Sequence, residues 1–288
     1  MIAIFEHELT VAIHSIKTWV FAAFMLCFTG VGAMVYNLNS SIANFEYVLG
    51  YISIILVVMV PLLTMHVMSE ERHQRTDQML YSLPISTTEV IFGKFLALAV
   101  IFAVPVACIC AYPLIFSRFG SVYLPTSYGS LVAFFFLGLA LLSIGLFVSC
   151  LTESQGMAAG LCAVAMLFLY YCDTLSNFVS GSVVGSLVGL GVLILLLALI
   201  VRGLTKSGFF AFLVFAACAV LVCLTWIISP DSLNGLLPAI VNGISPFTRF
   251  KTFINGVFDI SVLVYDISII AFFLFLSIQS LEKRRYNG

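Results

Sequence analysis

The stretch Ser69-Glu-Glu-Arg-His-Gln-Arg-Thr-Asp-Gln-Met-Leu-Tyr-Ser-Leu-Pro-Ile-Ser-Thr-Thr-Glu-Val-Ile-Phe-Gly-Lys94 decides how the chain is read. It holds seven of the 25 formally charged residues (12 Lys and Arg, 13 Asp and Glu), and apolar runs lie on both sides of it. Glu70, Glu71, Arg72 and Arg75 open a helix that continues from the preceding apolar run, with Met79, Leu80 and Leu83 as its apolar edge at helical spacing. Pro84 ends that helix, because proline lacks the N–H and disfavours helix at the residue before it. Ser86-Thr-Thr-Glu89 then reads as a capping box opening the next helix. Helix, sharp turn and capped helix make a docking element. A merely solvated loop joining two spans would need no such order.

The flanks fix the class. The 288 residues are 62% hydrophobic and 9% charged, with mean hydropathy +1.18. A soluble domain carries about a quarter charged residues, so this is an integral membrane protein. Apolar runs at 18–36, 47–68, 91–115, 128–151, 156–175, 183–201, 208–228 and 260–281 predict an all-α polytopic fold of eight spans. The net charge of −1 says nothing about nucleic acid, but there is no basic patch to bind it, and no nucleic-acid partner is expected. Membrane lipid is the surrounding partner. The eight cysteines lie in apolar runs or at their ends without Cys-x-x-Cys spacing, and read as small packing residues.

The start lacks the positive region of a cleavable signal and is expected to be retained. Residues 1–16 place Ile2, Phe5, Leu9, Ala12, Ile13 and Ile16 on one face, the pattern of an amphipathic helix lying in the membrane interface. With the N-terminus inside, Lys17, Arg72, Arg75, Lys94, Arg202, Lys206, Lys283, Arg284 and Arg285 face the cytoplasm, and only Arg118, Arg249 and Lys251 face out. The positive-inside rule therefore places both termini in the cytoplasm. Ala99, Ala103, Ala107 and Ala111, the pair Gly156 and Gly160, and Gly181, Gly185 and Gly189 form small-residue stripes that bring helices close in lipid. Packing within the chain is the expected use; a subunit interface is the other. Pro105 and Pro113 should kink the third span. Residues 229–259, broken by Pro and Gly, predict short interfacial or re-entrant helices on the outer side.

Glu70-Glu-Arg72, Thr76-Asp-Gln-Met-Leu80, Leu83-Pro-Ile-Ser86 and Gly93-Lys-Phe-Leu-Ala97 together resemble the first cytoplasmic loop of ABC-2-type permeases, in the manner of the gliding-motility-associated branch. Ser245-Pro-Phe247, Arg249-Phe250, Phe253, Gly256, Asp259, Tyr265 and Leu281-Glu-Lys-Arg-Arg285 resemble the same family's C-terminal signature. The resemblance covers residues 1–175 and 240–285. It implies an N-terminal elbow helix at 1–16, a cap over the outer side at 229–259 and a single permease domain over 1–288. The coupling loop at 69–90 would sit in a groove of a separate ATP-binding subunit through Glu70, Glu71, Arg72, Arg75, Leu80 and Leu83. It also implies a second permease chain, identical or related, in a prokaryotic cell (inner) membrane. The family core has six spans, so 183–201 and 208–228 are an added pair, expected at the periphery. Thr152-Glu153-Ser154-Gln155 resembles a second, smaller coupling turn at Glu153; a plain polar turn explains the same residues.

No phosphate loop, nucleophile elbow or His-Glu-x-x-His occurs, so no catalytic residue, metal or cofactor is assigned to the chain. It is read as a transport subunit, not an enzyme, with ATP and Mg on the partner ATPase. Asp266, with His66, is the ionisable group placed within the spans. Either Asp266 lines a polar path, with Arg249 and Phe250 as an outer gate, or it sits shallow and pairs with Arg249 or Lys251. The chain is thus expected to be the permease of an ATP-driven exporter, with an ion-coupled carrier or channel as the alternative.

Overall fold

The computed structural model describes residues 2–40, 42, 44–70, 86–120, 122–178 and 236–287. Their elements are helical: α1 (Ile2–His14), α2 (Ile16–Gly32) running into a π-helical turn (Ala33–Asn39), α3 (Glu46–Thr64), α4 (Thr87–Ile109), α5 (Ala111–Ser117), α6 (Leu124–Leu151), α7 (Gln155–Phe178), α8 (Leu236–Ile244), α9 (Pro246–Ile254) and α10 (Ile260–Asn287). Six helices are long and apolar enough to cross a membrane: Ile16–Asn39, Glu46–Thr64, Thr87–Ser117, Leu124–Leu151, Gln155–Ser176 and Ile260–Lys283. They coincide with six of the eight expected spans. The pair expected at 183–201 and 208–228 lies outside the described residues, as do Gly181, Gly185 and Gly189.

The chain divides into two compact units, residues 1–170 with 249–288, and residues 171–248. In the first, α3 and α6 form the centre: two thirds of their most apolar window is buried, against 28% for α2 and α7 and 22% for α10. The outer helices therefore keep wide apolar surfaces for lipid or another chain. α10 lies along α6, α1 lies against α4, and α2 against α3 and α4. In the second unit, Ser245 Oγ accepts the Thr248 N–H at 3.3 Å, with Pro246 between them opening α9 at its first turn.

Lipid tails are as apolar as leucine, so helices in a membrane associate through close packing. Glycines of α6 permit it. A Cβ at Gly138 would lie 2.2 Å from the Phe102 ring of α4, and one at Gly145 would lie 2.4 Å from Thr64 Oγ1 of α3. Phe102 centres an aromatic series across the unit: it meets Phe21 of α2 at 6.3 Å, and Phe134 at 6.1 Å and Phe135 at 5.9 Å on α6, while Phe134 meets Phe250 of α9 at 6.1 Å. Of the small-residue stripes expected to pack within the chain, the two that lie among the described residues make few contacts with other described residues. Cβ atoms added at Gly156 and Gly160 meet nothing within 4 Å. Ala99 and Ala103 are half-buried, Ala107 and Ala111 exposed. The buried face of α4 instead runs through Val90, Lys94, Leu98, Ile101 and Pro105. The third span breaks at Cys110, between its two prolines.

The α9–α10 joint is closed by local chemistry. Gly256 has φ +80°, its N–H donates to Phe253 O at 2.9 Å, and the Val257 N–H donates to Thr252 O at 3.1 Å. This is a Schellman ending, in which a left-handed residue after the helix favours glycine. Asp259 then caps α10 through the Ser261 N–H at 2.9 Å, and these bonds from Ser261 hold its carboxyl below the usual range.

Gly138→Ala is expected to lower stability by about 1–3 kcal/mol, the usual range for overpacking a filled core. Gly160→Ala, at a site with open space, should be neutral. Thermal unfolding of the detergent-solubilised variants checks both.

Candidate functional site

Lys94 is the most deeply buried cation of the described residues, 1% exposed in the first third of α4. A desolvated ammonium demands full hydrogen bonding. Its Nζ donates to Glu8 Oε1 of α1 at 2.7 Å and to Val67 O, in the turn after α3, at 3.1 Å. The last carbonyls of a helix lack intrahelical donors and carry partial negative charge, so the α3 end suits a cation. One side chain thereby joins α1, α3 and α4. The next residue back explains how α1 comes so near: a Cβ on Gly93 would stand 3.1 Å from Ile4 Cγ2 and 3.5 Å from the Phe5 amide.

Of the apolar residues of the N-terminal stretch, Ile13 and Ile16 are 46% and 79% exposed, and the side of α1 turned to α4 carries Ile4, Phe5, Glu8, Leu9 and Ala12. Glu8 is drawn in by Lys94 against its own polarity, which an apolar-stripe rule cannot register. The run Glu6-His-Glu8 opposite a lone intraspan lysine was the available signal.

Around this ion pair the end of α3 is secured from three sides. Ser149 Oγ of α6 accepts the amides of Met68 at 3.1 Å and Ser69 at 3.2 Å. Glu70 Oε2 lies 3.2 Å from His66 Nδ1 and 3.9 Å from Lys17 Nζ of α2. Burial, then the Lys17 charge, hold the His66 pKa below its ordinary value, with Glu70 and Gln155 opposing them. Across the gap, Ser86 Oγ accepts the Glu89 amide at 3.3 Å and starts α4, so the capping box is present. Thr87 Oγ1 donates to Glu282 Oε1 of α10 at 3.1 Å, and Ser280 Oγ donates to Cys150 O at 3.5 Å. A cavity of about 380 Å³ opens beside α1, with Glu8, Lys17, His66, Glu70 and Lys94 on its polar side.

The expected docking residues divide. Glu70 lies at the secured end of α3, and Glu153 is exposed in the α6–α7 turn at the same end of the bundle, where Ser154 Oγ receives the Met157 amide. Glu71, Arg72, Arg75, Leu80 and Leu83 lie outside the described residues. Both roots of the segment they occupy are part of the Lys94 joint.

Residues 2–177 match the ABC-2 family transporter protein family. The chain belongs to the ABC-2 family. It is thus a multi-pass membrane component of an ABC transporter, a transport subunit and not itself catalytic. No curated protein matches it. The match spans α1–α7 and so includes the whole Lys94–Glu8 joint of this ABC-2 permease.

The other expected locus falls outside the matched region, on α9 and α10. Asp266 is 1% exposed on the buried stripe Val262, Asp266, Leu274, Ser277 and Leu281 of α10. The Arg249 guanidinium lies over the Tyr265 ring at 4.0 Å, and Asp266 Oδ1 has no hydrogen-bond partner among the described residues. Phe250 is 1% exposed and packs on Phe134. A second buried carboxylate escaped the sequence reading. Glu46, 2% exposed in the first turn of α3, receives Ser127 Oγ at 3.0 Å on Oε1 and leaves Oε2 unpaired. A helix N-terminus favours an anion there.

Removing one partner of a buried ion pair typically costs about 3–5 kcal/mol. Lys94→Met should approach that range, and Glu8→Gln should cost less because Glu8 is about a quarter exposed. The double variant should recover part of the loss. Thermal unfolding of the three variants measures the coupling. For His66 the sign runs the other way from a stabilised imidazolium: with its folded pKa lowered, the unfolded chain binds the proton more tightly. Stability is therefore full above about 6.5 and falls as pH drops below it. His66→Gln should flatten that acid limb.

Proposed function

We propose that this permease couples ATP hydrolysis on a separate ATP-binding subunit to export, with residues 69–90 and the Glu153 turn as the docking surface. Two permease chains, identical or related, would enclose the path. α1 serves as an elbow in the cytoplasmic interface, both termini face the cytoplasm, and the gliding-motility-associated branch is the part of the family it is assigned to. Residues 229–259 cap the outer side, and the added pair at 183–228 stays peripheral.

The observation that carries this reading is the convergence at one end of the bundle. Both roots of residues 71–85, the α1 helix, the α6–α7 turn and the late turns of α10 are joined there by Lys94–Glu8, Ser149–Ser69 and Thr87–Glu282. A segment so anchored transmits a push to α3 and α4 instead of absorbing it. Lys17, Lys94, Lys283, Arg284 and Arg285 fall on the elements of that end, against Arg118, Arg249 and Lys251 at the other, and an excess of that sign supports assigning it to the cytoplasm.

An ion-driven cycle is the second reading, favoured by the buried, partly unpaired carboxylates of Asp266 and Glu46. It would show as proton- or sodium-dependent flux without ATP, abolished in Asp266→Asn.

Two measurements test the first reading. Single cysteines at Asn44 or Gly120 should react with an impermeant maleimide from outside the cell, and one at Glu153 should not; the reverse pattern would overturn the orientation. Tagged chain purified from its native membrane should bring an ATP-binding cassette ATPase with it. The double substitution Glu71→Ala and Arg72→Ala should weaken that association by about 2–5 kcal/mol, the cost of truncating a desolvated charged contact, while insertion and folding persist. Undiminished co-purification and transport would return residues 69–90 to a solvated connection.

A further inference from the structure

At the end of the bundle opposite Lys94, the π-helical turn, α3, α7 and α9 enclose a second cavity of about 460 Å³. Four of the chain's 11 tyrosines meet on its wall, Tyr36, Tyr47, Tyr51 and Tyr170, with Lys251 and Asn255. Interfacial tyrosines of membrane proteins spread around the circumference as a belt. Here they come from three separate elements and face one space. Tyr36 stacks near-parallel to Tyr47, centroids 6.5 Å apart and planes at 18°, and lies tilted to Tyr51 at 6.1 Å.

The wall is also built to hold its form. The switch from α- to π-helix over Ala33–Asn39 sets the facing of Tyr36, and π-turns are rare and concentrate at functional sites. Immediately before that turn, a Cβ on Gly32 would lie 3.1 Å from Tyr51 and Val48, so α2 and α3 are in close approach. A Cβ on Gly50 would lie 2.8 Å from Ile254, which presses α9 onto α3. Among the described residues, Lys251 is the one charged side chain lining the space. Aromatic faces bind a planar or sugar ring by stacking, and an ammonium with hydroxyl and amide neighbours binds an anionic oxygen.

We propose that this cavity is a ligand subsite for a ring-bearing anion, such as an aryl or sugar phosphate or carboxylate. A soluble molecule and a lipid headgroup both offer this chemistry. The subsite deepens the permease reading and rests on it only for its place on the transport route. Its test reads binding alone, without ATPase or flux, so failure of either statement is distinguishable from failure of the other.

Phenyl phosphate is the probe, titrated by calorimetry against the full chain in phosphatidylcholine nanodiscs. It should bind saturably, and inorganic phosphate or benzyl alcohol should bind at least tenfold more weakly. Lys251→Gln, at an exposed position that leaves the fold intact, should weaken phenyl phosphate roughly tenfold, as expected for loss of one charge-assisted hydrogen bond. The double variant Tyr47→Leu and Tyr51→Leu should weaken it comparably, and Val264→Ala should not change it. No saturable binding by the unsubstituted chain, or equal binding in the Lys251 and tyrosine variants, would overturn the proposal. With phosphatidylglycerol in the nanodisc, displacement of the probe assigns the subsite to a lipid headgroup, and unchanged binding assigns it to a soluble anion.

Discussion

An ammonium group taken out of water must be surrounded by acceptors, and at Lys94 the protein meets that demand by drawing three helices together. The Glu8 carboxylate can reach Nζ only if α1 lies against α4, and Gly93 removes the side chain that would hold them apart. Val67 O can reach it only if α3 ends at that level. The positions of α1, the α3 terminus and the α4 entry are therefore coupled to one charge. Burying an ion pair gives no assurance of net stability, because desolvation offsets much of the attraction. What it supplies is geometry: a displaced α1 would leave a charge uncompensated in a nearly dry site, so a small movement at this joint is energetically steep.

Elsewhere the same bundle is held by shape. Gly138 receives Phe102 and Gly145 receives Thr64, each closer than any Cβ would allow. Thr64 Oγ1 returns its own proton to Val60 O at 2.9 Å, so its polar atom is satisfied where it meets the α6 backbone. Such contacts tie α3, α4 and α6 into a body that moves together. The outer helices α2, α7 and α10 retain more apolar surface among the described residues, and the flanks at Gly156 and Gly160 belong to it.

Much of this was legible because membrane spans announce themselves by length and hydropathy alone. The six described spans, the Ser86 cap and the Cys110 break between two prolines follow from local rules that tertiary context did not override. The site was legible only in part. Glu70 could be placed because it follows directly on a span, although α3 ends at Thr64 and a turn over 65–68 precedes it. The partners of Lys94 could not, since they come from positions 86 and 27 residues away and one is a backbone carbonyl. Glu46 was hidden by sitting one residue outside an apolar run, where polarity suggests solvent; its burial depends on Ser127, far along the chain. Asp266 was visible as an intraspan carboxylate, but that the Arg249 guanidinium takes the face of Tyr265 has no sequence trace.

The central helix α3 links the two chemically distinct ends. Its C-terminal end carries His66 and Glu70 beside Lys94, and its N-terminal half carries Tyr47 and Tyr51 on the aromatic cavity. Pro61 stands between them, where the missing N–H removes one ladder bond and makes a bend locally cheaper. That freedom is limited by Thr64 against Gly145 one turn on, so the end of α3 cannot tilt without moving α6. A displacement of the α3 end is consequently shared with α6, and along α3 it extends to the wall where Gly50 meets Ile254. Because that wall touches α9 at contact distance, displacement of α3 changes the shape of the aromatic cavity without any element between them having to unfold.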